Sequence, residues 1–282
     1  MSTRQERRRQ ERQAKKKKVA LPKSTVNQDG SYDMAIRFVQ PWSCPVLMTR
    51  LPDNILGKML EITDEVIEQK EQSWGANLAG QVKNEFVIPH DKLKEAGVFD
   101  FFHDLIRHFV IQCKIQQLGP GSEEMIHKEQ WLVQMLTMWV VNQYENEYNP
   151  THIHTQCQIS SAMYLKVPKF VESRKKHRIN DDGSICFTAP ASRDAELSNP
   201  TWSWRPQVGD CFIFGAQQLH HVYPYRVEQG DPERRCVSFN AVFSTQAEQD
   251  KFNQEQAELQ KKKLNITEHY HEVQNLLKTH KI

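Results

Sequence analysis

From Trp131 to Ser244 the chain is a series of short β-branched and aromatic runs, each closed by turn residues. This punctuation constrains the fold more than any other feature. "WLVQMLTMWVVNQY" is too rich in valine and aromatic residues for an ordinary helix and reads as a strand. "QISSAMYLKVP", "GSICFTAP", "GDCFIFGAQ" and "RRCVSFNAVFS" read as four more. Tyr148-Asn149-Pro150, Asp181-Asp182-Gly183, Val208-Gly209-Asp210 and Gly230-Asp231-Pro232 mark the turns between them. Short strands separated by polar turns predict a sandwich or jelly-roll barrel.

The flanking segments have a different periodicity. "AIRFVQPWSCPVLMTRL" predicts short strands broken at Pro41 and Pro45. "PDNILGKMLEITDEVIEQKEQ" predicts a helix with Ile55, Met59, Ile62 and Val66 on one face. "DKLKEAGVFDFFHDLIRHFVIQCKIQQLG" predicts a second helix, ended by Gly119-Pro120-Gly121. Residues 246 to 279 predict a charged helix or helical pair. The expected organisation is α+β. A basic tail covers 1–32 and one domain covers 33–245, with a helical part at 50–120 and a barrel core at 131–245. A helical segment covers 246–282. Residues 169–206, rich in charge, Pro and Trp, predict an excursion over the barrel mouth, with Trp202 and Trp204 as lid or substrate wall.

Composition excludes several classes. No window approaches the roughly 18 uncharged apolar residues of a membrane span, and the N-terminus has no apolar signal core. The expected location is cytoplasmic, including a host cytoplasm for a virus-encoded copy. Six cysteines are scattered without a C-x-x-C pair, so reduced thiols are expected rather than disulfides or structural zinc. The net charge of +2 conceals a head, residues 1–18, with nine Lys/Arg against two Glu. Such a segment is a solvated tail or an arm for a polyanion such as nucleic acid. No aromatic residue is interleaved in it to stack on bases.

The chemistry centres on "NPTHIHTQCQISSAMYLKVP". In an extended segment residues i and i+2 point to one side, so His152 and His154 can converge while Ile153 turns away. In "GDCFIFGAQQLHHVYP" an apolar strand leads to His220-His221 at its far end. Two histidines from one segment and one from another suit a mononuclear metal, although non-haem iron more usually takes two histidines and a carboxylate. A different frame makes His154 the first ligand, with Gln156 two residues on.

Downstream, Arg234, Cys236, Ser238 and Asn240 share one face of a strand. An inward arginine needs an anion, because an unpaired charge is costly to desolvate. A guanidinium with a hydroxyl four residues on can hold a carboxylate. One of Arg234 and Arg235 is expected to face solvent.

With these pieces in order, the chain resembles the 2-oxoglutarate- and Fe(II)-dependent oxygenases. In particular it is similar to an oxygenase family of marine phages and bacteria that shares its double-stranded β-helix core with the prolyl hydroxylases. The matching pieces are "NLAGQVKNEF", "MWVVNQYENEYNPTHIH", "SSAMYLKVP", "GDCFIF…LHHVYP" and "RRCVSFN", within residues 40 to 244. The resemblance implies a double-stranded β-helix (jelly-roll, cupin-like) core with N-terminal packing helices and a C-terminal helix. It implies Fe(II) on His152 and His220, with His154 where the superfamily places an acid. It implies 2-oxoglutarate on Arg234, helped by Ser238 and Tyr164. The "L-H-x-V-x-P" pattern selects His220 over His221. The implied activity is a dioxygenase using O2 to hydroxylate an unidentified primary substrate, with succinate and CO2 as co-products. Two rival readings are a cupin-type metal enzyme without 2-oxoglutarate, with Gln158 in the acid's place, and a non-catalytic viral or nucleic-acid-associated module.

Overall fold

The computed structural model describes residues 24–39, 45–70, 72–119, 121–172, 180–189 and 201–279. The basic head at 1–18 lies outside the described residues, and with it the expected polyanion contact. The chain divides into two compact units, Met1–Phe102 with Met135–Ala241, and His103–Gln134 with Val242–Ile282.

The first unit holds two large antiparallel sheets, a two-stranded one and the helix that backs one of the large sheets. In chain order the elements begin with that small hairpin, β1 (Thr25–Val26) and β2 (Tyr32–Asp33). Then come β3 (Arg37–Val39), β4 (Val46–Arg50), α1 (Asp53–Gln69), β5 (Asn84–Ile88) and α2 (His90–Glu95). The helix α3 (Phe99–Leu118) and the short α4 (Glu123–Lys128) precede β6 (Trp131–Gln143). The barrel strands follow as β7 (Asn149–His152), β8 (Ile159–Lys166), β9 (Ile185–Thr188) and β10 (Thr201–Trp204). The last are β11 (Asp210–Gly215), β12 (His220–Val222) and β13 (Arg234–Thr245). A single helix, α5 (Gln246–Thr279), ends the described chain.

The larger sheet has the order β3-β4-β11-β8-β13-β6-β5 and the smaller has β10-β9-β12-β7. The chain passes between them: β6 in the large sheet, β7 in the small, β8 in the large, β9 and β10 in the small, β11 back, β12 across, β13 back. That winding is the expected double-stranded β-helix, with the expected mixture of helices and antiparallel strands around it. Between the sheets sits an apolar cluster that includes Val46, Met48, Trp139, Phe187, Phe212 and Phe214. Each such side chain, fully buried, contributes about 1.5–3 kcal/mol.

Helix α1 covers the outer side of the large sheet, packing on β5 and β8. Its Ile55, Met59, Ile62 and Val66 are buried as their spacing predicts. Thr63 is also buried on this face, where its hydroxyl donates to the Met59 carbonyl at 2.8 Å. Lys70 ends the helix in the left-handed conformation.

The C-terminal segment takes the first of its two expected forms, one helix, and three local expectations are corrected. The second helix is interrupted: α2 stops and Gly97 adopts φ +66°, with Val98 N–H donating to the Leu93 carbonyl five residues back. That is a glycine-terminated helix end, and Val98 is fully buried by the reversal. His220 does not end the "GDCFIF" strand: a turn intervenes, and His220 begins β12 in the opposite sheet. Finally, part of the expected excursion at 169–206 is barrel wall. There β9 pairs with β10 from Thr188↔Thr201 to Ile185↔Trp204. The rest of that segment, 173–179 and 190–200, lies outside the described residues.

In the second unit Trp131 donates its indole N–H to the Ile126 carbonyl at 3.0 Å. Lys114 Nζ lies 5.8 Å from the Trp131 ring and 5.4 Å from that of Phe243. The first half of α5 is exposed along its length.

Candidate functional site

The smaller sheet brings the histidines together. His220 on β12 stands directly across from His152 on β7. His154 lies just past the end of β7, where its N–H donates to the Ala216 carbonyl at 2.9 Å. The turn carrying His220 is fixed by Gln218, a buried side chain whose amide donates to the carbonyls of Thr188 and Leu219, each at 2.9 Å. Ring centroids are 4.2 Å apart for His152 and His220, 5.3 Å for His152 and His154, and 5.2 Å for His154 and His220. One ring nitrogen of each lies within 4.8 Å of the other two, close enough for a single metal ion. No carboxylate joins this cluster among the described residues. Ile153 turns away and is exposed.

The hydrogen bonds set which nitrogens are available. His152 Nδ1 lies 2.7 Å from the Pro150 carbonyl and His220 Nδ1 lies 2.8 Å from that of Gln218. A carbonyl only accepts, so each Nδ1 carries the proton and each Nε2 presents a lone pair. A backbone carbonyl on the far nitrogen is the usual support of a metal-ligating histidine. The His154 and His220 Nε2 atoms are 3.4 Å apart. Burial keeps all three imidazoles neutral near pH 7. It holds His220 well below its usual range, helped by its two neighbours. His154 is pushed to about 4 by burial and then by His152. His152 is lowered by burial. Neutral, lone-pair-bearing and convergent nitrogens fit a divalent transition metal.

The histidines line a cavity with about 520 Å³ of empty space, counting the part open to solvent. Its wall includes Tyr164, Arg234, Cys236 and Ser238. These four belong to adjacent strands, with Tyr164 opposite Cys236 across the β8–β13 pair. Asn240, expected on the same face, is not among the lining residues.

Arg234 is 1% exposed. One terminal nitrogen donates to Gln143 Oε1 at 2.7 Å, and the guanidinium carbon lies 4.7 Å from the Tyr164 ring centroid. Its Nε and other terminal nitrogen have no partner, nor has the buried Tyr164 hydroxyl. Burial drives that phenol's pKa up, against a smaller opposing pull from Arg234. No acid pairs with Arg234 among the described residues.

The expectation that Arg234 or Arg235 faces solvent is wrong, because both are buried. Successive strand residues point to opposite faces, and α1 covers the outer one. There Arg235 is fully provided for, by Glu233 at 2.6 Å, Asp64 at 2.6 Å and the Thr63 hydroxyl at 2.9 Å. Arg234 faces inward and lacks an anion.

The remaining candidates separate cleanly. His221 is absent from the cavity lining and rests against the Tyr223 ring. Gln156 is exposed in a turn with φ +59°, and Gln158 is exposed as well. Trp202 and Trp204 pack on Phe212 and do not line the cavity; Trp204 donates its indole N–H to Asp210 at 2.9 Å. Sequence reasoning missed Glu85, Asn149 and Trp139 in the lining. The signal for Glu85 was an acid inside the apolar strand "EFVI", but its direction depends on pairing with β6.

Residues 137–240 match the family described as "Putative 2OG-Fe(II) oxygenase". No curated protein matches the chain. Among solved structures, the chain is similar to a Burkholderia pseudomallei oxidoreductase of the 2OG-Fe(II) oxygenase family, at 12% identity and TM-score 0.29. That match covers 45% of this chain and 55%, about half, of the other. It is similar to a Pseudomonas putida prolyl-4-hydroxylase at 14% identity, 69% and 91% coverage and TM-score 0.41. It is also similar to a Trichoplax adhaerens prolyl hydroxylase in complex with a hypoxia inducible factor peptide, at 9% identity, 70% and 83% coverage and TM-score 0.45. Over residues 137–240, somewhat more than a third of the chain, the sequence is thus similar to the 2-oxoglutarate- and Fe(II)-dependent oxygenases, a family that uses Fe(II) and 2-oxoglutarate.

Proposed function

We propose that the protein is a dioxygenase that hydroxylates a primary substrate in this cavity, converting 2-oxoglutarate and O2 to succinate and CO2. One oxygen atom goes to the substrate C–H and the other to succinate. Fe(II) with 2-oxoglutarate supplies the oxidant when bound. His152, His154 and His220 are the metal ligands in this reading, each through a neutral nitrogen. Three neutral ligands leave the ion with a higher net charge than a two-histidine, one-carboxylate set would.

Arg234 is the observation that carries the reading. A guanidinium this deeply buried costs several kcal/mol to desolvate unless an anion meets it. Two of its nitrogens and the Tyr164 hydroxyl are without partners. A carboxylate entering here satisfies all three, and Ser238 adds a donor from the same strand. 2-Oxoglutarate has one carboxylate for this end and a keto acid for the metal. A cupin-type enzyme without 2-oxoglutarate leaves Arg234 without its anion.

Anaerobic titration with Fe(II) and then 2-oxoglutarate tests the assignment. His220→Ala is expected to abolish metal uptake. Arg234→Ala should keep the metal and weaken 2-oxoglutarate by about 100-fold, the worth of one or two charge-assisted hydrogen bonds. Unchanged binding in both variants refutes it. Release of succinate in air then reports turnover.

A further inference from the structure

The cavity has a second polar end that the metal and co-substrate do not use. Glu85 is 2% exposed and lines the wall, in register with Val141 on β6. Cross-strand partners share a face, so both side chains look into the barrel. Glu85 Oε2 has no hydrogen-bond partner, and no lysine or arginine pairs with the carboxylate among the described residues. It lies outside the group of mutually close histidine nitrogens. Nearby, Asn149 Oδ1 is buried without a partner and lines the same cavity. Gly80 lies between them. A Cβ there would stand 2.3 Å from Asn149 Oδ1 and 3.1 Å from Glu85 Oε1. Only the absence of a side chain leaves this corner open. The charge that acts on Glu85 is that of another acid, Glu147, and it raises the carboxyl pKa further.

The corner therefore offers two unpartnered acceptors, one of them a carboxylate. At the Arg234 end the unpartnered groups are instead guanidinium N–H donors and the Tyr164 hydroxyl. Water satisfies an isolated amide well, but a buried carboxylate is stabilised far more by a cationic donor. We propose that Glu85 and Asn149 bind a basic nitrogen, an ammonium or guanidinium group, of the primary substrate. The inference rests on the reading that the substrate enters this cavity, and it adds the substrate's chemical class. Glu85 then acts in recognition and orientation, holding the cationic end so that a C–H bond elsewhere in the molecule faces the histidine cluster.

The test uses the full chain at pH 8 and two small probes of similar length, n-butylammonium and n-pentanol. Their affinities are measured by saturation-transfer NMR, with and without Zn(II) and 2-oxoglutarate. The expected result is at least tenfold preference for n-butylammonium, lost in Glu85→Gln. Gly80→Ala, which fills the corner, should weaken n-butylammonium as well and guards against a folding defect in the first variant. Equal affinity for the two probes overturns the proposal, and so does a preference that survives both substitutions. Uptake of Zn(II) and 2-oxoglutarate is read separately in the same samples. Its failure counts against the oxygenase assignment, whereas the cation preference is decided by the probes alone.

Discussion

Two neighbouring arginines show how little a residue's identity says before its face is known. Arg235 is enclosed by Glu233, Asp64 and Thr63, while Arg234 has Gln143 and unfilled donors. Replacing Arg234 by Met should leave the midpoint of thermal unfolding unchanged or higher without ligand, because a buried uncompensated charge is removed. With Mn(II) and 2-oxoglutarate the wild type should gain several degrees and the variant none from the acid. Melting curves with and without 2-oxoglutarate check this. Glu85 gives a pH prediction. Burial, and then Glu147, raise its pKa from 4.5 to about 7. The folded chain thus holds this proton more tightly than the unfolded chain. The resulting stabilisation is full below about pH 4.5 and is lost as pH rises through 7. Between pH 5 and pH 8 the wild-type midpoint should fall relative to Glu85→Gln, and a drop no larger than the variant's would contradict the assignment.

At the scale of elements, the site depends on short strands that the sequence barely announces. The paired strands β7 and β12 are four and three residues long, and they carry His152 and His220. Their positions come from register with each other and with β9. The turn before β9 is held by Gly183, whose φ is +68° and whose Cβ would fall 2.3 Å from the Phe170 ring. Phe170 in turn packs edge-on against Tyr225, with centroids 5.2 Å apart. Gly183→Ala should therefore destabilise the protein by about 1–3 kcal/mol. Urea titration should show a lower midpoint with an unchanged slope. The longer strands β6, β8, β11 and β13 were legible because each is dense in β-branched and aromatic residues and bounded by turn residues. The break between α2 and α3 was missed because apolar spacing continues through Val98, and only Gly97 marks the reversal.

For the whole molecule, the barrel places the Arg234 end, the three-histidine cluster and the Glu85 corner in one cavity. Ligands that bind only the folded form stabilise it by mass action, about 2.7 kcal/mol at a hundred times the dissociation constant. Mn(II) alone and Mn(II) with 2-oxoglutarate should raise the unfolding midpoint in two steps. His220→Ala should lose the Mn(II) step. No described helix is long and apolar enough to cross a membrane.

The sequence by itself determined the strand-rich core, the helix before it and a shortlist of histidines and arginines. Those follow from local rules: periodicity of two or 3.6 residues, turn residues with special backbone freedom, and the donor chemistry of each side chain. Only the tertiary structure decided which arginine lacks an anion, that His220 opposes His152, and that Glu85 faces the same space. These facts depend on pairing between residues far apart in the chain. A one-residue change of register turns a side chain from cavity to covering helix, and no local pattern records which register the packed core selects.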